Sequence, residues 1–152
     1  MKIYMDNCCL ARPFDDQIQV KIRLEATAKM YIQSLVKFKS LVLCSSFMLS
    51  HEIEKCPVEE TKVHISQFMS EFALFHVGND RENDVIAISN EIGETGIRYK
   101  DSVHIACAII AECDYLITTD SRILKYKTDK VNHRPPIRRW HAKTAESRLK
   151  YA

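Results

Sequence analysis

The sequence predicts an α/β fold in which a mainly parallel central sheet lies between layers of helices. Three observations carry that expectation. Short apolar runs of strand length alternate with longer segments of helical period, no internal repeat or low-complexity linker breaks the order, and 152 residues with 46% hydrophobic and 28% charged content suit one core-bearing domain.

Each element follows from its own pattern. Ile3, Tyr4 and Met5 begin a buried strand that stops at Asp6. From about Gln17 to Lys39, the residues Ile18, Ile22, Ala26, Met30 and Leu35 recur at helical spacing and predict a long amphipathic helix. "SLVLCSS" reads as a second buried strand, after which Ser46 can cap a helix that runs to about Lys55 and is stopped by Pro57. A helix over Glu59 to Ser70 leads to a third strand, "FALFHV", and "RENDVIAISNEIGETG" predicts a helix closed by a glycine turn. "DSVHIACAIIAE" is apolar over most of its helical surface, at Val103, Ile105, Ala106, Ile109 and Ile110, and predicts a buried helix feeding a fourth strand, "YLITTD".

Composition bounds the function. No apolar stretch approaches the roughly 20 residues needed to span a bilayer, and the amino terminus lacks the basic and apolar regions of a secretory signal. A cytoplasmic protein is therefore expected, with its six cysteines reduced. Those cysteines lack the paired spacing of a structural zinc site, and Cys44 and Cys107, lying in apolar runs, read as small buried hydrophobes. Charge is uneven: residues 129–152 hold seven Lys and Arg against two acids, net +5, which leaves −3 for residues 1–128 of the chain's +2. A basic tail with Trp140, His133, His141 and Tyr151 interspersed suits a phosphate backbone and stacked bases, or else a solvated extension with no partner.

In a parallel sheet, ligands gather beyond the carboxyl ends of the strands. Asp6 follows the first strand and Asp120 the fourth, Asp101 begins the helix that feeds the fourth, and Glu52 lies in the helix after the second. Four carboxylates at one rim repel one another unless a cation joins them, and hard oxygen donors suit Mg²⁺ or Mn²⁺. Singly, each acid is better read as a turn, cap or surface residue; their shared placement at strand ends is what brings a metal site into consideration.

Three segments taken together resemble the PIN domain. They are the strand ending in Asp, "IYMDNCCL"; the Ser-capped helix bearing Glu, "SSFMLSHEI"; and "KDSVHIACAIIAECDYLITTD", whose Asp, His-x-Ala, small-residue helix and terminal Thr-x-Asp are the most specific part. The resemblance spans roughly residues 1–127. It implies a PIN-like three-layer fold and the activity of the family's metal-dependent ribonucleases, which include VapC-type toxins and RNA-processing nucleases. It also implies division into a nuclease domain, 1–128, and a basic C-terminal extension, 129–152.

Carried over residue by residue, the resemblance implies that Asp6, Glu52, Asp101 and Asp120 hold one or two Mg²⁺ or Mn²⁺ ions, so that a water hydrolyses an RNA phosphodiester bond. Asn7 and Thr118 fall where the family orients ligands or water. The opening is "DNCC" where the family often has Asp-Thr-Asn, and Glu54, two residues after Glu52 on a helix, is an alternative glutamate that a helix turns to another face. Arg12, Arg98 and Lys100 flank the rim as phosphate contacts or as exposed loop charges, and His104 is expected to pack near the site rather than to bind metal. The expected partners are RNA, a second copy of the chain in a homodimer and, for a toxin of a toxin–antitoxin pair, an antitoxin protein. The alternative function is a non-catalytic PIN-like module that binds RNA or protein.

Overall fold

The computed structural model describes residues 1–125 and the backbone of 138–141. Its sheet has five parallel strands, β1 (Lys2–Met5), β2 (Val42–Ser46), β3 (Ala73–Val77), β4 (Tyr115–Thr118) and β5 (Arg138–His141), in the spatial order β3-β2-β1-β4-β5. Helices α1 (Asn7–Ala11), α2 (Val20–Lys37), α3 (Phe47–Glu54), α4 (Glu59–Phe72), α5 (Glu82–Gly93), α6 (Tyr99–Ile110) and α7 (Ser121–Lys125) flank it. The expected α/β class and the parallel sheet are both present.

Parallel strands covered on both faces should be apolar throughout, and the central ones are. Ile3, Tyr4 and Met5 of β1, Leu43 and Cys44 of β2, and Leu116 and Ile117 of β4 are essentially inaccessible to solvent. Burying each such aliphatic side chain contributes about 2 kcal/mol. The edge strand β3 leaves Leu74 and Phe75 exposed, and the Lys2 ammonium sits 4.3 Å from the Phe75 ring centroid. Ser46 caps α3, its hydroxyl accepting the Leu49 N–H at 3.2 Å, and Gly96, at φ +87°, makes the turn after α5 that a side chain would strain. Helix α6 is buried almost all round, from Ser102 to Ala108. Cys44 and Cys107 are fully buried, as their apolar surroundings imply, and the six thiols are free.

Two expectations are corrected. The apolar series Ile18, Ile22, Ala26, Met30 and Leu35 does not mark the buried face of α2: Ile18 lies before the helix and is exposed, and Met30 faces solvent. The buried face is Glu25, Ala28, Lys29, Ile32 and Val36, with Ala26 beside it. Two charged residues thus occupy core positions, which is possible because the Arg12 guanidinium meets Glu25, Nε to Oε2 at 2.9 Å.

The second correction concerns the division at residue 128. The stretch expected as an extension supplies β5, whose Arg138, Arg139, Trp140 and His141 pair in register with Tyr115 to Thr118 of β4. An edge strand is specified by backbone pairing on one side, so "RRWH" needs no apolar face to join the sheet. The other residues of the basic tail lie outside those described.

The strand order fixes where a ligand site belongs. Connections from β1 run outward through β2 to β3 on one side, whereas β4 and β5 lie on the other. The carboxyl ends of β1 and β4 therefore flank a topological switch point. Asp6 directly follows the first of these ends, and Asp120 lies two residues beyond the second.

Candidate active site

Asp6 ends β1 and caps α1. Its Oδ1 accepts the Cys9 N–H at 2.9 Å, and its Oδ2 accepts the hydroxyl hydrogen of Thr118, the last residue of β4. The same Thr118 oxygen accepts the Asp120 N–H at 2.8 Å. One hydroxyl therefore ties the ends of the two switch-point strands and sets the distance between their acids. Burial pushes the Asp6 carboxyl above its ordinary pKa, and the bonds from Thr118 and Cys9 oppose that rise only in part.

Glu52 reaches the rim from α3, and its Oε2 meets His104 Nε2 of α6 at 3.0 Å. Behind His104, Nδ1 lies 2.9 Å from the Tyr4 hydroxyl, which lies 2.7 Å from Ser46 Oγ. A carboxylate only accepts, so His104 donates from Nε2, and the chain closes in one direction: Ser46 to Tyr4, Tyr4 to His104, His104 to Glu52. The cap of α3 and its glutamate are thereby locked to β1 and α6. Burial works to raise the Glu52 pKa, but the His104 hydrogen bond, with the charge of Lys100, holds it below the usual value.

Asp101, in the first turn of α6, is different. Its Oδ2 is buried and has no hydrogen-bond partner among the described residues. Burial and then the negative charge of Asp120 raise its pKa, against the opposing pull of Arg122, His104 and Arg98. Asp120 is drawn down, first by its hydrogen bonds to Arg122. That guanidinium forks onto the carboxylate, with Nη2 at 2.6 Å from Oδ2 and Nε at 3.1 Å from each oxygen, while the Arg122 N–H reaches Oδ1 at 2.8 Å.

The four acids named from the sequence therefore sit around the carboxyl ends of β1 and β4, but three of them are turned to partners of their own. Among the described residues, no three Asp, Glu, His or Cys side chains are close enough together to hold a metal ion. Thr118 is in the expected orienting position, and Asn7 opens α1 beside Asp6. Arg98 and Lys100 are exposed at the start of α6, with Arg98 acting electrostatically on Asp101 and Asp120, and Lys100 on Glu52. Arg12 is a strut instead: it pairs with Glu25, and donates to Asp15 at 2.9 Å and to the Thr119 hydroxyl at 2.8 Å, so it is turned into the fold. Glu54 lines a separate cleft of about 470 Å³ with Phe47, Met48, His51 and His76, so of the two glutamates Glu52 is the one at the rim.

The sequence reading missed Arg122, although its spacing was legible. A residue two after a strand-end aspartate, at the start of a helix, is placed to fold its side chain and its N–H back onto that carboxylate. No protein-family model, no curated protein and no solved structure matches this chain.

Proposed function

We propose that the chain is a metal-dependent endoribonuclease, a hydrolase of RNA phosphodiester bonds of the PIN type that its sequence motifs resemble. The observation that carries this reading is the pair Asp101 and Asp120 beside the switch point, with a buried Asp101 oxygen that no donor among the described residues satisfies. The donor set fits a hard divalent cation, because it is all carboxylate oxygen and the Asp101 carboxyl is raised by burial and then by the charge of Asp120. Mg²⁺ or Mn²⁺ bound there would supply Lewis-acid stabilisation of the phosphate charge and a more acidic water. Asp101, Asp120 and Asp6 would hold it. Thr118 keeps Asp6 and Asp120 in register, and His104 keeps Glu52 at the rim, where that carboxylate can accept a proton from water. Arg98 and Lys100, exposed beside the acids, would position the phosphate backbone.

Incubating a mixed RNA pool with Mn²⁺, with chelator, and with the Asp6→Asn variant tests the activity. Cleavage by the parent with Mn²⁺ alone is expected; cleavage by Asp6→Asn equal to the parent's would refute it. A non-catalytic RNA- or protein-binding module is the second reading. It is favoured by one observation: the acids are each engaged singly rather than gathered around one point. RNA retained on the protein without cleavage under any metal would select it.

The remaining expectations belong with this proposal. Among the described residues no helix is long and apolar enough to cross a membrane. Ile18, Val20, Leu24 and Met30 expose apolar surface on and before α2, and a second copy of the chain is the partner we place there. An antitoxin protein would compete for that face, and sedimentation of the purified chain as a monomer at high concentration would remove the homodimer.

A further inference from the structure

We infer that Arg122 is a built-in counter-ion that occupies the cation position on Asp120 and must be displaced for a divalent ion to bind. This inference rests on the proposed metal site and concerns how that site is kept while metal is absent. The geometry singles Arg122 out among the basic residues near the rim. Its guanidinium engages both Asp120 oxygens, at 2.6 to 3.1 Å, so the fork covers the lone pairs that face the site. Its backbone N–H bonds the same carboxylate at 2.8 Å, which fixes the starting residues of α7 against Asp120. The side chain is half exposed on a helix of one turn and lies on no core, so it can leave without disturbing the fold.

The neighbouring acids show what Arg122 does there. Asp6 is satisfied by Thr118 and Cys9, and Glu52 by His104, both from within the protein. Among the described residues the Asp120 carboxylate is bonded by Arg122, and the buried Asp101 Oδ2 has no donor, so Arg122 is the one guanidinium in direct contact with this pair. A divalent ion placed between them would neutralise both at once. Arg122 cannot, because its fork is committed to Asp120 and leaves the Asp101 oxygen bare. The two cations therefore compete for the same oxygens, and the protein as it stands holds the weaker one.

Calorimetric titration of Mn²⁺ into the purified chain tests this on the parent, Arg122→Gln and Arg98→Gln. Arg98 is the control: it carries the same charge and acts on Asp101 and Asp120 through space, but makes no contact with either. Direct competition predicts that Arg122→Gln binds Mn²⁺ about three- to tenfold more tightly than the parent, as expected when a bidentate charge pair no longer has to be broken. It predicts a smaller gain, under about twofold, for Arg98→Gln, since a distant charge is screened. Arg122→Lys should fall between the parent and Arg122→Gln, because it keeps the charge and loses the fork. Unchanged affinity in Arg122→Gln, or equal gains in the two Gln variants, overturns the inference and leaves the metal site standing. Weaker binding in Arg122→Gln overturns it as well, by making Arg122 a supporter of the site. Absence of Mn²⁺ binding in every protein, Arg122→Gln included, refutes the metal reading on which it rests.

Discussion

Two clusters of charge lie within this fold, and they are built on opposite principles. Between α1 and α2, Arg12 is held by the fully buried Glu25, by Asp15 and by Thr119, so that the charges inside are matched by opposite charge. At the carboxyl ends of β1 and β4, acid lies near acid: the Asp101 pKa is raised by burial and then by the charge of Asp120, and its buried Oδ2 has no donor among the described residues. The first cluster would lose stability if any member were removed. The second would gain from the loss of one. A protein keeps like charges together at a cost to its stability when something outside the chain completes them, and that asymmetry is why we propose the rim, rather than the strut, as the place for chemistry.

The sharpest way to break the comparison is to remove the strut. Arg12→Ala takes the nearest counter-charge from the buried Glu25, leaving the looser Lys21 contact at 3.8 Å, and should lower stability by about 3 kcal/mol, with the melting temperature falling by roughly 6–12 °C. Thermal unfolding measures this. If Arg12 served RNA rather than the fold, the variant would melt with the parent and lose RNA affinity instead.

Lys29 offers a second test on the same face of α2. It is almost fully buried, and burial lowers its pKa from 10.5 to about 8. The unfolded chain then binds its proton more tightly than the folded one, so stability should rise as pH climbs from about 8 towards 10.5 and the burial cost should be fully present below 8. Lys29→Met should stabilise the protein by about 1–2 kcal/mol at pH 7 and remove that slope. A variant less stable than the parent at neutral pH would show that Lys29 is matched by charge after all.

The smallest expected effect lies at the rim and has the opposite sign to the loss of Arg12. Asp101 has a raised pKa in the folded state, so the folded chain holds that proton longer; the stability present at acid pH is lost as pH rises through this window and stays lost at pH 7. In chelator, Asp101→Asn should therefore melt higher than the parent, by about 1–2 °C once solvent screening is allowed for. A lower melting temperature would mean that Asp101 is stabilised by the fold, as Glu25 is.

The central strands β1, β2 and β4 and the helix α6 were legible because their burial is nearly uniform, and length told strand from helix. The positions of Asp6, Glu52, Asp101 and Asp120 followed from element order alone, since in a parallel sheet strand ends and helix starts share one edge. What the sequence hid were long-range pairings. Arg12 and Glu25 are 13 positions apart, and nothing local says that a glutamate and a lysine on α2 face inward while Met30 faces out. The strand β5 was hidden for a related reason, because an edge strand made of Arg, Arg, Trp and His carries no alternating or apolar pattern. Arg122 was within reach of local reasoning, only two residues from Asp120, but its proposed role depends on the buried Asp101 Oδ2 lacking a donor among the described residues, which only the packed structure displays.

The most direct test of the central claim, that the rim is completed by a divalent cation and the strut is not, is the Mn²⁺ dependence of thermal stability. It needs three proteins: the parent, Arg12→Ala, and the double variant Asp101→Asn with Asp120→Asn. At about a hundred times the dissociation constant, bound Mn²⁺ should add about 2.7 kcal/mol, raising the melting temperature of the parent by several degrees. Arg12→Ala, though melting lower throughout, should show the same increment, and the double variant should show none. An equal Mn²⁺ shift in the double variant would contradict a cation site at the ends of β1 and β4.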